Sequence, residues 1–205
     1  MPKVVVTGCG RSGTSYSAAV FRAMGVDIGH ERWGADGISA FQVAHPYHRT
    51  MYEWDQHLNG TPPIVIHIVR HPCRVISSWM GRPDTLVGML DGATQWEPLE
   101  RCARYWLEWN RLVEQEFPLA YRYQIETVQA RLQEWAVLAQ RDLTDEELAK
   151  ARAVPTNYGT AHASVKTHGT HRYEQIYTWA DLDAALPHAL VREIRQQAVR
   201  YGYHD

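Results

Sequence analysis

A run of β-branched residues, Val4-Val5-Val6-Thr7, gives way at once to a glycine-bearing turn, Gly8-Cys9-Gly10-Arg11-Ser12-Gly13-Thr14-Ser15-Tyr16, and then to a segment with helical apolar spacing (Ala18, Ala19, Phe21, Met24). A strand, a glycine-rich loop and a helix in that order bring backbone N–H groups and a helix N-terminus to one point, which is a ready site for an anion. Gly8 and Gly13 keep the spacing of the triphosphatase loop G-x-x-x-x-G-K-[ST], but Thr14 stands at the lysine position, and the loop's cation is Arg11, three residues earlier. The loop can hold a phosphate group and lacks the side chain that reaches the β- and γ-phosphates of ATP.

The chain of 205 residues is long enough for one domain with a full core, and a single domain over 1–205 is expected. A formal charge of −2 argues against a broad nucleic-acid-binding face. The three cysteines, Cys9, Cys73 and Cys102, have neither the spacing of a disulfide framework nor that of a zinc site. Cys9 lies in the anion loop as a small residue or a reactive thiol, and the first reading is favoured. Met1-Pro2-Lys3 leads straight into the first strand, which predicts no leader, and no apolar run approaches the ~20 residues of a membrane span. A cytoplasmic protein is expected.

Strands and helices alternate along the chain, the pattern of an α/β fold with a mostly parallel sheet. Strands are expected at 3–7, 26–28, 64–69 and 119–123. Helices are expected at 14–24, 40–58, 73–80, 97–116, 127–140, 144–152 and 187–201. On the long helix Leu99, Cys102, Ala103, Trp106, Leu107 and Val113 form an apolar stripe. The polar stretch 153–172, rich in His, Gly and Thr, reads as a disordered loop or a lid within a helical tail, 127–205.

A second anion motif follows the strand at 64–69. Arg70 stands at the strand's carboxyl end, where open parallel sheets bind ligands, and Pro72 suits the first turn of the next helix. Arg74 and Ser78 lie four apart on that helix. A strand-tip arginine with a hydroxyl up the helix, beside the first loop, fits a ligand carrying two separate phosphates.

The two motifs together resemble the sulfotransferases that use 3′-phosphoadenosine-5′-phosphosulfate (PAPS). Arg11-Ser12-Gly13-Thr14-Ser15 matches their [KR]-x-G-T-[ST] loop, and Arg70 with Ser78 matches their arginine followed eight residues later by serine. Arg122-Tyr123-Gln124-Ile125-Glu126 keeps the Arg-Tyr pair of a third segment and departs from it at Gln124 and Ile125. The motifs span the core 3–126. The resemblance implies a P-loop NTPase-like sulfotransferase architecture, with PAPS as donor and 3′,5′-adenosine bisphosphate (PAP) as product. It implies a donor site of Gly10, Arg11, Ser12, Gly13, Thr14, Ser15, Tyr16, Arg70, Ser78 and Tyr123, the two tyrosines near the adenine.

Sulfuryl transfer moves a group in line between two oxygens while charge grows on the leaving oxygen. Arg11, the loop N–H groups and the hydroxyls of Thr14 and Ser15 are the candidate stabilisers of that charge. No acidic residue stands clearly at a strand end to hold Mg²⁺, and no metal is expected. Glu31, just past the second strand, is the candidate base for the acceptor hydroxyl, as the resemblance to the branches that act on sugars implies; otherwise it is a helix-start residue. His30 is the rival, with His45, His48 and His57 as further alternatives. His162, His168 and His171 could suggest a metal cluster, without cysteine partners to support it. Trp33, Trp54, Trp79 and Trp96 read as sugar-facing rings or as core, and Trp106, Trp109 and Trp135 as structural. Arg32, Asp36 and Gln42 are candidate acceptor contacts. The segment 165–172 has the look of a clamp on the 3′-phosphate or of a solvated loop. The expected acceptor is a small molecule or saccharide. A P-loop kinase of a small molecule, or a nucleotide-binding protein without catalysis, are the competing readings.

Overall fold

The computed structural model describes residues 2–155 and 176–204. Five parallel strands form one sheet in the order β2-β3-β1-β4-β5, where β1 is Val4–Thr7, β2 Ile28–His30, β3 Gly37–Ser39, β4 Ile64–Val69 and β5 Tyr121–Gln124. Helices α1 (Thr14–Ala23), α4 (Pro72–Trp79), α5 (Pro98–Glu116), α6 (Leu132–Leu138), α7 (Asp145–Arg152), α8 (Trp179–Ala185) and α9 (His188–Arg200) cover it. Two short helices, α2 (Pro46–Arg49) and α3 (Trp54–Leu58), lie between β3 and β4.

The period-two geometry of the strands sorts the apolar residues onto two faces. Val4, Val6, Ile66 and Ile68 pack with Phe21 and Met24 of α1 and with Trp135 of α6. Val69 faces the other way, toward the α4–α5–α9 core around Trp106, Trp109 and Ile194, and Val5, Ile38 and Val65 form a small cluster of their own. Strands buried on both sides favour apolar residues at successive positions, which is why β4 reads as an apolar run broken only by His67.

From β1 the chain passes through α1 to the β2–β3 side, whereas from β4 it passes through α4 and α5 to β5 on the other side. The order therefore reverses between β1 and β4. This is the switch point of the sheet, the place at whose carboxyl edge ligands of such sheets bind.

The sequence placed β1, β4, α1, α4, α5, α7 and α9 within a residue or two. Strand β2 begins two residues later than expected. The single helix expected over 40–58 is instead α2 and α3 joined by 3₁₀ turns at Gln42–Ala44 and Thr50–Tyr52, with Glu53 in the left-handed region at φ 48°. The helix expected at 127–140 is a 3₁₀ stretch, Ile125–Ala130, followed by α6. Strand β3 was not foreseen because Gly37-Ile38-Ser39 carries no β-branched run. It needs glycine: a Cβ on Gly37 would lie 1.9 Å from the carbonyl oxygen of Val4. Helix α8 was also missed, although Thr178 and Asp181 form a reciprocal capping box at its start. The expected loop 153–172 falls mostly outside the described residues. Among those described, no helix is long and apolar enough to cross a membrane.

One buried polar pair joins β4 to α5. His67 is 1 % exposed, and its Nε2 lies 3.0 Å from Asn110 Oδ1. Burial pushes the imidazole pKa down to about 4, although the bond to Asn110 opposes this. Below about pH 6.5 an unfolded chain takes up a proton that the folded protein refuses until about pH 4. The stabilisation is thus full above pH 6.5 and is lost as pH falls through that window. Urea unfolding of wild type and His67→Gln at pH 7.5, 6, 5 and 4.5 should show the gap between them narrowing by roughly 2–3 kcal/mol toward acid; parallel curves would refute the assignment.

Candidate active site

The loop that leaves β1 is shaped by close approach. A Cβ on Gly8 would lie 2.1 Å from the Ile68 carbonyl oxygen, so only glycine lets the chain turn while still against β4. Ser12 N–H donates to the Cys9 carbonyl at 3.0 Å, closing a tight turn. Gly13, at φ 109°, starts α1 from a conformation that favours glycine. The N–H groups of the first turn of α1 have no carbonyl a turn earlier to bond, so this end of the helix can receive an anion.

Arg11 occupies the corner of this loop in the left-handed region, at φ 71°. Its Nε donates to Ser78 Oγ at 2.7 Å, and its carbonyl accepts from Arg70 Nη1 at 3.1 Å. The strand-tip arginine, the loop arginine and the helix serine thus meet in one place between the β1 and β4 exits. Arg70 is set from behind by Trp106, whose indole N–H donates to the Arg70 carbonyl at 3.1 Å. His71 caps α4, and its N–H donates to Glu126 Oε1 at 3.4 Å.

The remaining loop residues differ in what they offer. Ser12 is buried, and its Oγ has no hydrogen-bond partner among the described residues. The Thr14 hydroxyl lies 3.5 Å from His30 Nε2, and the Thr14 carbonyl accepts from Ser39 Oγ at 2.7 Å. Ser15 is half-buried on the first turn of α1. Tyr16 is 3 % exposed, packed in the core on the α1 side, with its hydroxyl accepting from the Gln129 amide. Tyr123 is half-buried, and its ring meets Trp135 edge-on at 6.0 Å.

The candidate bases spread along the β2–β3 side. Glu31 follows β2 at the carboxyl edge; it is exposed, at φ 52°, with its N–H donating to the Ser39 carbonyl at 3.1 Å. It starts no helix, since the chain turns back through 31–36 directly into β3. Burial and then the Glu31 charge push the Tyr52 hydroxyl up to about 12. His30 is held below its ordinary pKa by burial, the Glu31 charge opposing. His45 lies toward the core, 6.4 Å from the Trp109 ring, whereas His57 stacks on Trp33 at 4.7 Å. His48 is lowered by burial and by His45.

Several acceptor-side candidates lie elsewhere. Asp36 directly precedes β3, at the amino edge, and its carboxylate accepts the Asp27 N–H at 2.7 Å; it caps a turn on the wrong side of the sheet. Trp33 and Trp54 pack on each other at 5.9 Å and belong to the small core beside Val5 and Ile38. Trp96 lies under the Arg104 guanidinium at 4.7 Å. Trp106, Trp109 and Trp135 are buried core residues, as their helical stripes implied. Arg32 is exposed, and Gln42 is half-buried with its Oε1 unpartnered among the described residues. His162, His168, His171 and the segment 165–172 lie outside the described residues.

Trp79, read as a sugar-facing ring or as core, is buried core, and neither it nor Tyr105 was expected to bond the loop backbone. The Trp79 indole N–H donates to the Gly10 carbonyl at 3.0 Å, and Gly10 N–H donates to Tyr105 Oη at 3.2 Å. The available signal was chemical: a buried indole or phenol must satisfy its polar atom, and both residues sit on helices that pack behind the loop.

No protein-family model matches the chain, and no curated protein sequence does. Solved structures do. Mouse sulfotransferase SULT7A1, crystallised with PAP, matches with a TM-score of 0.58 at 13 % identity, over 97 % of this chain and 84 % of that one. The sulfotransferase domain from the curacin biosynthetic pathway matches with a TM-score of 0.55 at 13 % identity, over 100 % of this chain and 99 % of that one. The chain has the sulfotransferase fold. The five-stranded parallel sheet with helices on both faces is the architecture expected from the two motifs.

Cys9 is fully buried, and burial, followed by the neighbouring Cys102, pushes its thiol well above the ordinary range. Burial also raises Cys102, to about 12, and Cys73 is buried too. The native protein at pH 8 should therefore release almost no thiolate colour with Ellman's reagent, and all three thiols after denaturation. Rapid native labelling of Cys9 would show a reactive loop thiol instead.

Proposed function

We propose that the protein is a sulfotransferase that moves a sulfuryl group from PAPS to a hydroxyl of a small molecule or saccharide. The observation that carries this reading is the Arg70 guanidinium bonded to the carbonyl of Arg11, which sets two cations and the Ser78 hydroxyl beside one loop. The fold neighbours support the same reaction class, and the neighbour crystallised with PAP supports the same donor.

The residues fit such a donor. Two guanidiniums carry forked N–H groups that match phosphate oxygens, and the buried Ser12 hydroxyl at the loop has no hydrogen-bond partner among the described residues. When bound, PAPS supplies a sulfuryl group already activated on a 5′-phosphate. Arg70 and Ser78 would hold the 3′-phosphate. Arg11, the start of α1 and the hydroxyls of Thr14 and Ser15 would stabilise the charge that grows on the leaving oxygen, a role worth ~10²–10³ in rate per donor. Glu31, at the carboxyl edge and open to solvent, would take the acceptor's proton, with His30 as the rival in contact with Thr14. Threonine at the lysine position argues against a P-loop kinase.

Titration calorimetry with PAP and, separately, with ATP and Mg²⁺ tests the donor. Binding of PAP is expected, and tight binding of ATP·Mg²⁺ alone would reverse the reading. Transfer of labelled sulfate across a panel of hydroxyl acceptors tests catalysis; PAP binding without any transfer would favour a non-catalytic nucleotide-binding protein.

Arg70→Ala should weaken PAP binding about 10–100-fold. It should weaken 5′-AMP binding by a smaller factor, since that ligand has no 3′-phosphate to lose; equal losses would remove the 3′-phosphate from this arginine. Glu31→Gln should lower kcat by ~10²–10⁴ with PAP affinity unchanged. An unaltered rate would pass the base role to His30.

A further inference from the structure

We infer that Trp79 is a positioning residue for Arg11: with Arg70, it pins the two peptide planes that flank the Arg11 Cα and holds the loop's cation in place before any ligand binds. The inference rests on the sulfotransferase reading for what Arg11 does, and on the geometry alone for how Arg11 is held.

A trans peptide is a rigid plane, so φ and ψ of a residue are set once the planes on either side are set. The plane between Gly10 and Arg11 is held by the Trp79 indole N–H, 3.0 Å from the Gly10 carbonyl oxygen. The plane between Arg11 and Ser12 is held at both ends. Arg70 Nη1 reaches the Arg11 carbonyl at 3.1 Å, and Ser12 N–H reaches the Cys9 carbonyl at 3.0 Å. The result is φ 71° at Arg11, a region that residues with a Cβ seldom occupy. Releasing either plane lets Arg11 relax to an ordinary negative φ. Its Cβ then swings to another direction, and the guanidinium leaves Ser78, which it meets at 2.7 Å.

Trp79 is built for this task. It is 5 % exposed, and its ring meets Tyr105 edge-on at 5.2 Å, so packing fixes the ring and thereby aims its N–H at the loop. Tyr105 completes the arrangement by accepting Gly10 N–H at 3.2 Å. A Cβ on Gly10 would lie 2.8 Å from both Trp79 Cζ2 and Tyr105 Oη, so the two rings close directly on the backbone. Because a peptide's C=O and N–H point opposite ways, turning the Gly10 carbonyl toward Trp79 also turns the Arg11 N–H away from it.

Trp79→Phe keeps a ring and deletes the N–H. In the protein without ligand, hydrogen exchange at the amides of residues 9–12 should quicken at least tenfold while β1 and β4 keep their protection. In turnover, kcat should fall about 10–100-fold with KM for PAPS within about threefold. On an Arg11→Ala background the same substitution should change kcat by less than about threefold, because its effect passes through Arg11. Unchanged loop exchange, or fully additive losses in the cycle, would overturn the inference. A wild-type protein that transfers no sulfuryl group would sink the functional reading and still leave the exchange data to decide this one. Should the Phe variant fail to fold, the wild type decides: the Trp79 indole proton and the loop amides should exchange with one opening free energy, and a loop that exchanges freely while the indole stays protected overturns the claim.

Discussion

The contact on which the site depends is the bond from the Arg70 guanidinium to the Arg11 carbonyl, made at the switch point between β1 and β4. It needs the in-register parallel pairing that sets Thr7 beside His67. That register brings the turn after β1 and the tip of β4 to the same height. It also needs the absence of a side chain at Gly8, since a Cβ there would collide with the Ile68 carbonyl and push the loop away from β4. A slip of one residue in β4 would turn Ile66 and Ile68 to the opposite face and point Arg70 elsewhere, so the apolar pattern of β4 and the placement of the arginine are one constraint.

Behind this contact the α4–α5 layer supplies aromatic rings whose polar atoms do not stay idle. Trp79, Tyr105 and Trp106 bury large apolar surfaces in the core, and each turns its polar atom to the backbone of the two motifs: the indoles of Trp79 and Trp106 donate to the Gly10 and Arg70 carbonyls, and Tyr105 Oη accepts Gly10 N–H. Rigid side chains that lose little freedom on ordering make good supports for a loop whose own conformation is costly, as the left-handed Arg11 shows. The other face packs Val4, Val6, Ile66 and Ile68 on α1 and α6 and holds the sheet from that side.

What the sequence revealed follows from which interactions are local. The loop from Gly8 to Ser15, the strand tip at Arg70 and the hydroxyl at Ser78 were legible because each is a short-range pattern with its own backbone logic, and the order of motifs implied the architecture. Strand β3 was not legible: Gly37-Ile38-Ser39 becomes a strand only because β1 and β2 bond it on both sides, a non-local cause. The 40–58 region misled because its apolar spacing suits one helix, while the left-handed Glu53 and two 3₁₀ turns break it. Asp36 looked close to Glu31 in sequence, yet the return through 31–36 carries it to the amino edge of the sheet. Trp79 was readable as core but not as a loop support, and Tyr105 not at all, because nothing in a helix's apolar stripe says where an indole N–H or a phenol oxygen is aimed.

The position of the loop's cation then acquires a physical meaning. A lysine at residue 14 would rise from the first turn of α1 and follow the helix axis toward a chain of phosphates stacked beyond its N-terminus. Threonine stands there instead, turned toward His30, and the charge comes from the corner of the loop at Arg11, aimed at Ser78 of α4. The positive charge is thereby concentrated between β1 and β4, where Arg70 already stands, and is thinned along the axis of α1. Such a field suits two anionic groups held side by side at the switch point better than three in a line, which is the charge layout of an adenosine phosphorylated at both its 3′ and 5′ positions. Under the proposed function the displaced cation would set the ligand class of this loop, and the glycines that surround it would make room for it.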